Sequence, residues 1–266
     1  MTAHQKPVVH AEDPLWNTLR INAEKAYDTE HAMRPMLKAW VLDREDFAHA
    51  LAWRLAAKLS PHDHHDGRLF GVFQEAVLSQ ANITAQARRD LAAILERDPA
   101  CDSALTPFLW FKGYHAITSQ RVAHHYWNKD RRQLAFWLQS LMSEVLSTDI
   151  HPAARIGSGV MLDHATGFVA GETAVIEDDV SILHEVTLGG TGKEKGDRHP
   201  KVRRGVLIGA GAKLLGNIEI GEGAKIGACS VVLRNVPPHT SVAGVPAVII
   251  GKASCADPAR DMDHSI

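Results

Sequence analysis

The chain has 266 residues, is 45% hydrophobic and carries 29 Lys and Arg residues against 31 Asp and Glu residues. This length is enough to bury a core in one or two domains. The balanced charge argues against a nucleic-acid-binding protein, and no polybasic run predicts attachment to an anionic membrane surface.

The cysteines and the N-terminus predict where the protein resides. Cys101, Cys229 and Cys255 are far apart, odd in number and without a CxxC spacing. This pattern predicts reduced thiols rather than a disulfide framework or a zinc site. The first 16 residues contain no apolar signal segment, and no stretch approaches the roughly 18 apolar residues that span a bilayer. We therefore expect a cytoplasmic protein without a metal.

The first part of the chain has helical signals. Asp13 precedes Pro14, which is the pattern of an N-cap followed by proline at the first helical position. Thr106 and Pro107 repeat this signal and predict one long helix that ends near Trp127. Six to eight helices are expected before the pattern changes, and their apolar faces account for the tryptophans.

After Ser147 the apolar residues recur every six positions. In chain order they are Ile150, Ile156, Leu162, Phe168, Ala174, Val180, Val186, and, after an interruption, Val202, Ile208, Leu214, Ile220, Ile226 and Val232. A period of six fits neither an α-helix nor an ordinary alternating strand. It is typical of a parallel β-helix, in which three hexapeptides form one coil of about 18 residues and successive coils share a core.

The two periods predict an α+β protein in three parts: a helical domain over residues 1–148, a β-helix over 149–250 and a polar tail over 251–266. One segment, GGTGKEKGDRHPK over residues 189–201, breaks the repeat. Its glycines and charges cannot continue a coil, so we expect a loop, and long loops on rigid scaffolds often carry function. The tail is expected to be mobile.

A candidate base lies in the sequence DHATG over residues 163–167. His164 follows the inward-pointing Leu162 and is expected at a corner of the coil. Asp149 lies about one coil earlier, and neighbouring coils are ~4.8 Å apart. A carboxylate on one imidazole nitrogen would raise the basicity of the other, and the pair would then take a proton from an alcohol. The alternatives are an exposed histidine without function and a capping role for Asp149.

Other charged residues are candidates for binding a substrate. Arg198, in the loop, presents a planar guanidinium that matches a carboxylate. Asp163 and Asp98 supply negative charge for an amino group. Ordinary alternatives are a solvated loop arginine, a turn at Asp163 and a helix end at Asp98, since the residue before a proline is disfavoured in a helix.

These segments resemble the serine acetyltransferase family of the hexapeptide acyltransferase superfamily. The motifs that carry the resemblance are DIHPAARIGSGVMLDHATG, GDRHP and IGAGAKLLGNIEIGEGAKIG, with FKGYHA in the last helices. The resemblance covers about residues 90–252. It implies a left-handed β-helix, and it implies acetyl transfer from acetyl-CoA to the hydroxyl of L-serine, the first step of cysteine biosynthesis.

The resemblance also implies roles for individual residues. His164 would be the general base and Asp149 its partner. The expected serine-binding residues are Asp98 and Asp163, for the ammonium, and Arg198 and His199, for the carboxylate. The expected CoA-binding residues are Gly190, Thr191, Ala210, Lys225 and Ala228.

The partners that the resemblance implies are other copies of the chain and one further enzyme. Trimers with active sites between subunits would pair into hexamers, and cysteine would inhibit at the serine site. The C-terminal Ile266 would bind O-acetylserine sulfhydrylase. Three alternatives are a sugar or xenobiotic acetyltransferase, a β-helical zinc lyase using His164, His184 and His199, and a non-catalytic scaffold for the sulfhydrylase.

Overall fold

The computed structural model describes residues 13–60, 67–192 and 195–265. The expected contact residue Ile266 therefore lies outside the described residues. Helices fill the first part and short parallel strands the second, which confirms the predicted α+β architecture. Within the described ranges, no helix is long and apolar enough to cross a membrane.

The helical part begins where the sequence predicts. Pro14 is the first residue of its first helix, and the Asp13 carboxylate accepts a hydrogen bond from the Trp16 backbone N–H at 3.1 Å. A 3-10 turn (His31–Met33) and a π-helical turn (Lys38–Leu42) interrupt the α-helices of this part. The α-helices are α1 (Pro14–Thr29), α2 (Arg34–Leu37), α3 (Phe47–Leu59), α4 (Arg68–Ser79), α5 (Ala81–Arg97), α6 (Leu105–Trp110), α7 (Lys112–Asn128) and α8 (Arg132–Leu146).

The second part is a left-handed parallel β-helix. Its strands are β1 (Thr148–Ile150), β2 (Arg155–Ile156), β3 (Met161–Leu162), β4 (Phe168–Ala170), β5 (Val175–Ile176), β6 (Ser181–Ile182), β7 (Thr187–Gly189), β8 (Lys201–Val202), β9 (Leu207–Ile208), β10 (Lys213–Leu215), β11 (Glu219–Ile220), β12 (Lys225–Ile226), β13 (Val231–Val232), β14 (Thr240–Gly244) and β15 (Ala247–Lys252). They form three sheets: sheet A (β1, β4, β7, β10, β13), sheet B (β2, β5, β8, β11) and sheet C (β3, β6, β9, β12, β14, β15). Only β15 runs antiparallel to its neighbour among the described strand pairs.

The phase of the repeat shifts twice, so the prediction of a single break is wrong. Thr148 pairs with Phe168, which gives the first coil 20 residues, whereas Val169 and Thr187 are 18 residues apart. The two extra residues lie in the turn between β3 and β4. The predicted inward positions after this turn are nevertheless buried, because they line the corners of the coil: Phe168, Ala174, Val180 and Val186.

The segment predicted as one helix to Trp127 is two helices. The chain is extended at Phe111 (φ −75°, ψ 110°), between α6 and α7. The first turn of α7 packs against β3 so closely that a Cβ at Gly113 would lie 1.8 Å from the Leu162 carbonyl oxygen. The break lets this glycine bring α7 directly onto the strand that precedes the turn at 163–167.

A buried ion pair joins the helices to the β-helix. The Arg121 guanidinium donates to the Asp90 carboxylate, and both side chains are almost fully buried. Asp90 also accepts from the Val160 backbone N–H at 3.0 Å, and Arg121 donates to the Gly157 carbonyl at 2.6 Å. Burial raises the pKa of Asp90 against the opposing effect of Arg121. The two parts of the chain therefore meet through charged groups whose partners are fixed.

The tail packs back onto the molecule. It forms a short helix, α9 (Pro258–Asp261), which contacts α5 and β9. The Ser181 hydroxyl donates to the Ala259 carbonyl at 2.7 Å, and the Lys225 ammonium donates to the Ser265 carbonyl. The expected mobility of this tail stays a prediction.

Candidate functional site

His164 lies in a strained turn, residues 163–167 between β3 and β4, which we call the base corner. His164 and Ala165 both have left-handed backbone angles (φ 57° and 59°). For residues other than glycine this conformation costs about 1–2 kcal/mol each, and such strain clusters at functional sites. The turn holds the imidazole outward, with 71% of its side chain exposed. A base at this position is open to a substrate.

The carboxylate next to His164 in this chain is Asp163. One oxygen of Asp163 lies 3.5 Å from the His164 Nε2 atom. Asp149, the predicted partner, instead accepts a hydrogen bond from Gln139 at 2.6 Å, and the described residues contain no ion pair between Asp149 and His164. The catalytic pairing of these two residues stays a prediction.

Four residues line up along the edge of the β-helix that includes the base corner. Sheet C aligns Leu162 with Ile182, Ile208 and Ile226. Two positions after these inward residues come His164, His184, Ala210 and Ala228. The two alanines, with Lys225 of β12, line a cleft of about 120 Å³, to which His264 of the tail also contributes. Three of the five predicted CoA-binding residues therefore share one groove.

Arg198 and His199 lie elsewhere, in residues 190–200 between β7 and β8, which we call the loop corner. The Arg198 guanidinium donates to Glu172 at 2.8 Å, and this hydrogen bond lowers the pKa of Glu172. A Cβ at Gly190 would lie 3.3 Å from the Arg198 carbonyl oxygen, so the glycine lets the loop fold over itself. Two predicted serine-binding residues and one predicted CoA-binding residue thus meet at this corner.

Contacts with Thr173 fix the protonation of His199. The Thr173 backbone N–H donates to the His199 Nδ1 atom at 3.2 Å, and the hydroxyl lies 2.9 Å from the same atom. Nδ1 must therefore be the acceptor, which leaves the proton on Nε2. Burial lowers the pKa of His199, and the positive charges of Arg198 and Lys201 lower it further. The ring is a neutral donor, and Gly171 leaves room for it, because a Cβ there would lie 2.0 Å from Nε2.

One chain does not bring these two groups together. The base corner joins sheet C to sheet A, and the loop corner joins sheet A to sheet B. A three-residue strand of sheet A spans about 10 Å between the two edges. Asp98 follows α5, which contacts β3 near the base corner, and its carboxylate accepts from the Ala100 N–H at 2.9 Å.

The arrangement bears on the zinc alternative. The rings of His164 and His184 contact each other, with centroids 5.7 Å apart, but His199 is at the other corner. The described ranges contain no group of three His, Cys, Asp or Glu residues placed to hold a metal ion.

Sequence reasoning did not assign roles to Gly171, Glu172 and Thr173, which support the loop. The signal was available in the register: sheet B pairs Val175 with Lys201, so the residues just before each of them are neighbours. The coil that contains this loop is eight residues longer than the usual 18, so counting 18 residues along the sequence does not show that these residues are neighbours.

Two family models match the chain. Residues 15–119 match "Serine acetyltransferase, N-terminal", and residues 199–234 match "Bacterial transferase hexapeptide (six repeats)". The serine acetyltransferase of Escherichia coli K12 is 52% identical over 94% of this chain and 92% of its own length. That of Haemophilus influenzae is 49% identical over 94% of both chains.

Solved structures of similar proteins contain relevant small molecules. A serine acetyltransferase in complex with cysteine is 48% identical, with a TM-score of 0.92 over 95% of this chain and 98% of its own. One from Brucella abortus in complex with coenzyme A is 47% identical, with a TM-score of 0.89 over 94% and 100%. A soybean serine acetyltransferase complexed with serine is 48% identical, with a TM-score of 0.86 over 89% and 97%.

Proposed function

The chain belongs to the serine acetyltransferase family, and from this premise we propose how its residues carry out the reaction. The protein is an acyltransferase that moves acetyl from acetyl-CoA to the hydroxyl of L-serine, giving O-acetyl-L-serine and CoA for cysteine biosynthesis. The observation that carries this function is 52% identity over 94% of the chain. The base corner supplies the chemical rationale, because it holds His164 exposed in a strained turn.

The proposed reaction is direct transfer. His164 takes the proton of the serine Oγ as that oxygen forms a bond to the thioester carbon. The C–S bond breaks as the tetrahedral intermediate collapses, and the imidazolium gives its proton to the CoA thiolate. Asp149 orients the ring once it turns from Gln139 towards His164. No covalent acyl-enzyme is involved.

The substrate contacts come from both corners. Asp163 and Asp98, near the base, hold the serine ammonium, while Arg198 and the Nε2–H of His199 hold its carboxylate. The CoA arm follows the groove at Ala210, Lys225 and Ala228, with Gly190 and Thr191 closing over it. Because the two corners lie on different edges of one chain, a trimer completes each site by placing the loop corner of one subunit against the base corner of the next.

Subunit mixing tests this arrangement. His164→Ala is expected to lower kcat by about 10²–10⁴-fold. Arg198→Ala is expected to raise the serine KM. The two variants are denatured, mixed in equal amounts and refolded as trimers, and they are assayed at a serine concentration at which each variant alone is nearly inactive. About a quarter of the shared sites then combine an intact His164 with an intact Arg198. Recovery to about a quarter of wild-type activity supports shared sites. No recovery, with each variant alone refolding normally, would show that one chain holds the whole site.

A substrate panel tests the activity. Serine-dependent release of CoA thiol from acetyl-CoA, without a comparable rate for sugars or other alcohols, is the expected result. A faster rate with a sugar would favour the alternative hexapeptide acetyltransferase. No turnover with any acceptor would favour the scaffold alternative.

The remaining proposals, on regulation, assembly and location, rest on membership of the same family. L-cysteine competes with serine at the site and acts as a feedback inhibitor. Two trimers join through the helical domains into a hexamer, and Ile266 binds O-acetylserine sulfhydrylase. The enzyme works in the cytoplasm. Gel filtration, inhibition by cysteine and co-purification with and without the last residue test these points separately.

A further inference from the structure

A lysine of the helical part, which has no part in the proposed reaction, contacts the base corner. Lys112 is the first residue of α7, and its ammonium donates a hydrogen bond to the Thr166 hydroxyl. That hydroxyl donates in turn to the His164 carbonyl oxygen at 3.4 Å. The close approach of Gly113 to Leu162 brings the first turn of α7 against the strand that precedes this corner. Two hydrogen bonds in series therefore join α7 to the backbone of the proposed base.

Lys112 occupies a position that is unfavourable for stability. The N-terminal end of a helix carries partial positive charge, so a cation in its first turn is disfavoured, and the first turn of α7 has no acidic residue. Lys112 forms no ion pair with any residue that the structure describes. Burial lowers the pKa of Lys58, and the nearby charges of Arg54 and Lys112 lower it further. Residues that break local rules in this way are expected at functional sites.

The base depends on the backbone of its turn. The His164 side chain is 71% exposed, so few contacts of the ring itself set its direction. The left-handed angles of His164 and Ala165 persist only if neighbouring groups hold them. Thr166 supplies two such contacts, because its carbonyl accepts from the Glu185 backbone N–H at 2.7 Å and its hydroxyl accepts from Lys112.

We propose that Lys112 is a positioning residue, which acts through Thr166 to aim the His164 imidazole at the serine hydroxyl. It touches neither substrate, and its contribution is to the geometry of proton transfer. Displacing a reacting group by about 1 Å can cost about 10²-fold in rate. Loss of the Lys112 contact is therefore expected to appear in kcat rather than in the KM of either substrate.

This inference rests on the proposed function, and paired substitutions test it. Lys112→Met removes the ammonium while keeping a long side chain, and Thr166→Val removes the hydroxyl while keeping its shape. Because His164 remains in both variants, we expect kcat to fall about 5- to 20-fold in each, with both KM values within about twofold of wild type. The double variant should lose no more than either single variant, since both changes break the same pair of hydrogen bonds. Losses that multiply in the double variant would overturn the proposal.

Stability and rescue distinguish positioning from a structural role. Removing an unfavourable charge from the start of α7 should leave the urea midpoint of Lys112→Met unchanged or raise it, whereas a structural lysine would lower the midpoint and kcat together. Lys112→Arg keeps a cationic donor and should recover kcat to within about threefold of wild type. A kcat of Lys112→Met within about twofold of wild type refutes the role. If Lys112→Met does not fold, Thr166→Val decides against Thr166→Ser, which keeps the hydroxyl, and equal kcat values in these two variants also refute it.

The outcomes also separate the inference from its premise. If the wild type shows no serine-dependent release of CoA, the proposed function fails. If the wild type is active and Lys112→Met is equally active, only the role of Lys112 fails.

Discussion

Thr173 is expected to govern the affinity for serine without touching it. Its hydroxyl oxygen accepts hydrogen bonds from the backbone N–H groups of Arg198 at 3.0 Å and His199 at 3.1 Å, besides its contact with the His199 ring. Thr173→Val keeps the shape of the side chain and removes all three interactions. A buried donor left without a partner costs about 1–3 kcal/mol, and solvent will satisfy part of that loss at this half-exposed loop.

We take a net cost of about 1.5–3 kcal/mol on the loop in its binding conformation, which corresponds to a roughly 10- to 150-fold rise in the serine KM. The acetyl-CoA KM and the thermal stability should change little, because the loss falls on the loop rather than on the core. Steady-state assays of thiol release at varied serine measure the effect. Thr173→Ser keeps the hydroxyl and should behave as the wild type. A serine KM within twofold of wild type in Thr173→Val, or equal damage in both variants, would refute the reasoning.

Three further predictions follow from other parts of the molecule. Asp90→Asn leaves the buried Arg121 charge without its ionic partner and should lower the free energy of unfolding by about 3–5 kcal/mol. Glu75→Gln, at the exposed ion pair with Arg131, should lower it by less than about 1 kcal/mol. Equal urea midpoints for the two variants would contradict this prediction. Removal of residues 262–266 deletes the contacts of Lys225 with Ser265 and Asp263 and leaves its ammonium free to bind CoA. The acetyl-CoA KM should then fall about two- to fivefold while the serine KM stays unchanged. A rise in the acetyl-CoA KM would contradict this prediction. Burial lowers the pKa of His115 to about 3, so the unfolded chain takes up this proton first as the pH falls below about 6.5. The wild type should therefore lose about 2 kcal/mol more than His115→Gln between pH 7 and pH 5, and parallel losses in urea titrations would rule this out.

The period of six predicts the β-helix because the inward positions depend only on local spacing. It fails at residues 163–167 for the same reason. Two inserted residues shift the phase, but the new positions are also buried, so the pattern of apolar residues does not reveal the shift. The break at Phe111 has a different cause. It follows from the contact of Gly113 with Leu162, two residues far apart in the sequence, and helix propensity contains no information about that contact.

The same distinction between local sequence and contacts over long sequence distances applies to the candidate site. His164 and Arg198 can be found from local motifs, but their separation on two edges of the β-helix depends on how many residues each coil contains. The positions of the two edges therefore determine whether these motifs can form one site within a chain. In the proposed site, a base and a carboxylate-binding arginine on different edges would serve one substrate only across two subunits, so the proposal makes the oligomer a condition for activity. A substitution that weakens trimer assembly should then reduce turnover at low protein concentration even with every site residue intact, and activity per subunit should rise with concentration as trimers form.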